Sequence, residues 1–295
     1  VSAPRVSYEA GLVEEAVLRA EGGLGAAERA AFRRERDRLY AVADADEREA
    51  RFEELHGRWF TRLGLDRPLH EALSERPEIT RAVAACRVGR APSRREETAD
   101  LLGAPGEPPT LLVGLRPESL CDTGLVHHLR HELGHVADML DPAFGYERSL
   151  PGTPGGAAFE NLLRERYRAV WCASLDGRAA RRGFAEGGAL AKRRAEFARA
   201  FPMLGPEADE ALQRWFAEPR PTHAAIVAFI LSPGGAAMGA GRCPVCQLPT
   251  HALDPCPERL TDAARRALEA DFPAWEAAQG LCIQCADLYL ARVAG

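Results

Sequence analysis

Two sets of residues in this chain have the types and spacing to do chemistry. His131-Glu132-Leu133-Gly134-His135 has the form H-E-x-x-H. On a helix, residues four apart share a face, so His131 and His135 can grip one metal ion from successive turns. Glu132 then projects beside the ion, where its carboxylate can take a proton from an attacking water. The second set is Cys243-Pro244-Val245-Cys246 and Cys282-Ile283-Gln284-Cys285, two C-x-x-C pairs separated by 35 residues. Four thiolates around one zinc leave no position open for water, so this set reads as structural. The expectation is two Zn(2+) ions, one open and catalytic, one closed and structural.

A catalytic zinc needs a third protein ligand. No histidine follows His135 until His223, so carboxylates on the next helical stretch are the candidates. Asp176 is the first choice, because it ends the apolar run from Ala169 to Leu175. A carboxylate in such a run is costly unless it is paired or bound to a metal. Glu160 and Glu165, earlier in the same stretch, are the alternatives. A salt bridge to Arg178 or Arg181 is the purely structural reading of Asp176. Tyr146 and His223 are candidate hydrogen-bond donors to a developing oxyanion.

These residues must be positioned by regular elements. Leu125, Leu129, Leu133, Val136 and Leu140 form one apolar stripe at helical spacing, with His127, His131 and His135 on the neighbouring stripe. Asp122 or Thr123 can cap this helix, and Asp141-Pro142 ends it. Thr110 to Leu115, bounded by prolines, reads as a buried strand that feeds the helix and belongs to a small sheet. Upstream, Leu12 to Ala20 and Phe52 to Leu63 carry helical stripes and predict a helical layer. Cys86 and Cys121 read as core thiols.

An H-E-x-x-H helix entered from an apolar strand resembles the zincin superfamily of zinc metallopeptidases. Carried over residue by residue, the resemblance implies that His131 and His135 ligate zinc and Glu132 is the general base. It also implies that a sheet edge beside the helix receives the substrate as an added strand. The metzincin extension is missing, since Asp138 and Asp141 occupy its glycine and histidine positions. A ligand from a downstream helix is similar to the gluzincin branch, in which Glu160 or Glu165 would bind zinc and Asp176 would brace a histidine. The glutamate which that branch places four residues before Asp176 is absent. Cys172 stands there and becomes a further ligand candidate.

The whole reads as an α+β protein. Residues 1–80 form a helical layer, 81–235 a mostly helical zincin-like metallopeptidase domain with a small sheet, and 236–295 a zinc-ribbon or treble-clef-like module. His251 and Cys256, inside the C-terminal insert, are substitute ligand candidates. A net charge of −5 gives no global attraction to nucleic acid, leaving the C-terminal module as the one part suited to contact it. No apolar run is long enough for a membrane span, and the first residues lack a signal-peptide core, so a cytoplasmic protein is expected. Peptide or protein is the expected substrate. Two other readings share these motifs. An SprT-like DNA-associated protease also joins H-E-x-x-H to C-x-x-C, but takes its third ligand from a nearby downstream histidine that this chain lacks. A non-catalytic zinc-binding adaptor would need the histidines but not Glu132.

Overall fold

The computed structural model describes residues 4–104, 106–150, 156–184, 188–233, 242–248, 253–254 and 260–294. The chain is mostly helical with a small mixed sheet, and it forms two compact units, Val1–Asp141 and Pro142–Gly295. Among the described residues no helix is long and apolar enough to cross a membrane.

The first unit runs β1 (Arg5–Tyr8), α1 (Ala10–Glu21), α2 (Ala26–Leu39), α3 (Ala45–Arg62), α4 (Arg67–Ser74), α5 (Pro77–Ala82), β2 (Ala85–Arg90), β3 (Ala99–Leu102), β4 (Thr110–Leu115), α6 (Pro117–Leu120) and α7 (Leu125–Leu140). The sheet order is β1-β2-β4-β3, with β1, β2 and β4 parallel and β3 antiparallel to β4 at the edge. β4 is the strand expected from Thr110 to Leu115, and it buries Leu111, Val113 and Leu115 on one face. Gly114 is required there: a Cβ would stand 2.9 Å from the Glu96 carbonyl oxygen. α3 begins at Asp44, whose side chain accepts from Glu47 N at 2.8 Å, and buries Leu55, Trp59 and Phe60.

The helical layer does not end near residue 80. Leu12, Trp59, Leu111 and Leu133 belong to one core, so the N-terminal helices, the sheet and α7 exclude water together. Cys86 is buried in that core, and burial pushes its thiol up to about 12. Cys121 differs from expectation: it is exposed, at the turn between α6 and α7.

The second unit runs α8 (Gly156–Arg181), α9 (Ala189–Ala200), α10 (Ala208–Ala217), α11 (His223–Leu231), β5 (Leu253–Asp254), α12 (Asp262–Asp271), β6 (Leu281–Cys282) and α13 (Ile283–Ala294). α9, α10 and α11 all pack against α8. Gly177 makes the contact with α10 possible, because a Cβ there would fall 1.7 Å from the Phe216 carbonyl oxygen. Arg181 closes the end of α10 by donating to the carbonyls of Phe216 and Glu218, at 2.9 and 3.1 Å. Downstream, β5 and β6 pair antiparallel and α12 packs on α13. Arg166 of α8 donates to the Gln284 side chain on α13.

Candidate metal centres

α7 is the helix that the apolar stripe predicts. Leu125, Leu129, Leu133 and Val136 are buried and Leu140 packs at the edge of the core. Its N-cap is Gly124 rather than Asp122 or Thr123; Asp122 instead accepts from Gly124 N at 2.8 Å and fixes the turn before the helix. Arg130 anchors α7 to α4. It donates to Glu71 at 2.8 Å and to both carboxylate oxygens of Glu75 at 2.6 and 2.9 Å. The hydrogen bonds it donates to Glu75 hold its guanidinium above the ordinary value. The next residue is His131. Its ring and that of His135 lie edge to face, 5.0 Å between centroids and 84° apart, as two imidazoles on successive turns of one face should. Glu132 and His135 are each only 9% exposed. Asp138, one turn beyond His135, is also buried, a feature the sequence reading used only to exclude an extended motif.

On α8 the three carboxylate candidates have separate fates. Glu160 and Glu165 are exposed, and Glu160 lies 3.5 Å from Arg164. Asp176 is largely buried, and its Oδ2 accepts from Arg193 Nε at 2.6 Å. Arg193 also pairs with Glu196 at 2.5 Å. Burial alone would push the Arg193 guanidinium down, but the negative charges of Cys172, Asp176 and Glu196 raise it above the ordinary value. The structural reading of Asp176 as an ion pair therefore describes it, with Arg193 of α9 as partner in place of Arg178 or Arg181. Cys172, one helical turn before Asp176, is buried.

Tyr146 and His223 do come together. Their rings lie edge to face with centroids 5.9 Å apart. Thr222 caps α11 by accepting from Ala225 N at 3.1 Å, and His223 begins the helix with its backbone N donating to Phe144 O at 2.8 Å. The His223 Nδ1 lies 2.7 Å from the Tyr167 hydroxyl. Burial holds its imidazole below the usual histidine range, so it is neutral near pH 7. Tyr167 and Trp171, both on α8, complete this aromatic cluster. The sequence reading missed Tyr167; its one signal was its place one turn before Trp171.

The four cysteines of the C-x-x-C pairs are all buried, and each offers a sulfur within 4.8 Å of the others. The first pair is a tight knuckle. Gln247 N donates to Cys243 O at 2.8 Å, Cys243 N donates to Leu248 O at 2.9 Å, and Gln247 adopts a positive φ of 58°. In the second pair Cys282 ends β6 and Cys285 sits in the first turn of α13. The Sγ atoms of Cys243 and Cys285 lie 3.9 Å apart, and those of Cys246 and Cys282 3.8 Å. Tetrahedral zinc with bonds of about 2.3 Å spaces its sulfurs by about 3.8 Å. A disulfide would need about 2.05 Å. Without a cation, Cys243 is the thiol most easily ionised, held far below its ordinary value by hydrogen bonds from Cys246, Cys282 and Cys285, while Cys246 and Cys285 are pushed up. A divalent ion is what would let all four ionise together. His251 and Cys256 lie outside the described residues.

Among the described residues, the side chains able to hold a metal ion fall into two groups. One is the four cysteines; the other includes His131 and His135 of α7.

No protein-family model, curated protein or solved structure matches this chain.

The two groups therefore rest on their own chemistry. The two imidazoles of α7 are borderline-soft donors suited to zinc, and a site with three protein ligands leaves a fourth tetrahedral position open. Four thiolates form a soft, closed set. The sequence reading marked Cys172 only because it stands where a glutamate is expected. Its burial on α8 could not be read from spacing.

Proposed function

We propose that the chain is a zinc-dependent metallopeptidase of zincin type, with His131 and His135 among the ligands of the catalytic zinc and Glu132 acting as general base. The observation that carries this reading is the pair of motif imidazoles, edge to face on successive turns of α7, with Glu132 buried between them in sequence. A zinc ion with this donor set supplies a Lewis acid that polarises a peptide carbonyl and acidifies water. Glu132 takes one proton from the attacking water and delivers it to the nitrogen of the departing amine, so the C–N bond breaks as the new C–O bond forms. An adaptor has no need of that carboxylate, which favours the catalytic reading. His223, neutral and oriented by Tyr167, and Tyr146 beside it, are the proposed donors to the oxyanion.

A peptide is the substrate that the zincin resemblance implies, and β3, the strand at the end of the sheet order, lies alongside α7. The four-cysteine site is read as structural zinc in a treble-clef-like module, because its second pair spans a strand end and the first turn of a helix. The test is hydrolysis of an unfolded protein such as casein, followed by product sequencing. The wild-type chain cleaves it; Glu132→Gln loses activity by about a hundredfold or more while retaining its zinc. Equal activity in the two proteins would overturn the assignment.

A further inference from the structure

Arg166 lies in the middle of α8 and is completely buried. Its Nε donates to the Ala200 carbonyl oxygen at 3.2 Å. One terminal nitrogen donates to the Gln284 side-chain oxygen and approaches Met203 Sδ at 3.9 Å. The other, Nη1, is buried with no hydrogen-bond partner. Among the described residues no carboxylate pairs with it. Cys246, Cys282 and Cys285 are the groups that act on its charge, and Gln284 lies between the last two.

A buried guanidinium without an acid is expensive, and natural chains rarely keep one unless an anion is close. Burial pushes this group down to about 10 even with the three cysteines pulling it upward. Four thiolates carry four negative charges and a zinc ion two positive ones, so the loaded site is a dianion buried beside Arg166.

We propose that Arg166 is the built-in counter-cation of the metal-loaded four-cysteine site, so that metal occupancy there and the stability of α8 are coupled. This rests on reading the four cysteines as a closed zinc site. The loaded site gives the guanidinium its missing anion, and the guanidinium lowers the cost of gathering four thiolates out of water. Loss of the metal leaves the charge in the centre of α8 without an ion partner.

The full-length protein loaded with zinc or cobalt tests this through metal release to a chromogenic chelator and through thermal melting with and without metal. Arg166→Lys keeps the charge, Arg166→Gln keeps a donor without the charge, and Arg166→Met keeps neither. Loss of such a supporting group typically costs about ten- to a hundredfold in metal affinity. That loss is expected for Gln and Met at the cobalt site showing thiolate charge-transfer absorption, with Lys close to wild type. The melting shift should depend on metal: Gln and Met lower the midpoint of the loaded protein and leave the metal-free protein unchanged or raised. A purely structural arginine would lower both midpoints alike, and that result overturns the proposal, as does wild-type metal affinity in Arg166→Gln. Should Arg166→Met fail to fold, Arg166→Gln carries the comparison. Wild-type protein that binds no metal through Cys243 fails the underlying reading instead, before any Arg166 variant is compared.

Discussion

Asp176 and Arg193 form a buried ion pair, carboxylate oxygen to guanidinium nitrogen at 2.6 Å, one helical turn beyond Cys172. The pair assigns the carboxylate a structural partner. Asp176→Asn should therefore lower stability by about 2–3 kcal/mol, since one buried charge loses its counterpart, while both zinc ions are kept. Metal analysis beside urea unfolding checks both; loss of zinc in Asp176→Asn would restore Asp176 as a ligand.

Gly177 is predicted to be intolerant of any side chain. A Cβ would stand 1.7 Å from the Phe216 carbonyl oxygen, so Gly177→Ala must push α8 and α10 apart. Overpacking of this severity should cost about 3 kcal/mol or more, against the gain that alanine normally brings to a helix. A melting midpoint at or above wild type would show that the two helices are not held this close.

Acid should weaken both units through histidines buried in neutral form. His56 lies against Phe52 and Phe32, and burial lowers its pKa from 6.5; His223 is lowered for the same reason. The unfolded chain binds these protons at a higher pH than the folded one. Their contribution is thus fully present above about 6.5 and declines as pH falls below that value toward the folded pKa. Unfolding free energy should drop from pH 7 to pH 5, and the slope should shrink in His56→Phe. An unchanged slope would mean that His56 does not titrate on unfolding.

Arg130 should matter to catalysis without touching substrate. Its bonds to Glu71 and Glu75 tie α7 to α4 one residue before His131. Arg130→Ala should lower stability by about 1 kcal/mol and kcat/KM by about tenfold, by loosening the helix that presents both histidines. Unaltered kinetics in a destabilised variant would confine Arg130 to a packing role.

What the sequence made legible follows from the range of the signals. The α7 stripe, the buried face of Thr110 to Leu115 and the two C-x-x-C turns are local patterns, with periods or spacings enforced by backbone geometry. The partner of Asp176 lies 17 residues away on another helix, and that of Arg166 lies 118 away. Such pairings are decided by packing, and no local period records them. The same cause moved the unit boundary to 141/142, because the shared core of α1, α3, the sheet and α7 joins segments that look independent in sequence. Cys121 reads as apolar by type but sits in a turn, where exposure follows from position.

The central claim, one open and one closed zinc site, is tested most directly by metal stoichiometry in four proteins purified without added metal. Wild type should hold two zinc ions per chain, His131→Ala and His135→Ala one each, and Cys243→Ala one. The ion left in Cys243→Ala should be the one that supports hydrolysis. One zinc per wild-type chain, retained in His131→Ala and lost in Cys243→Ala, would contradict the account.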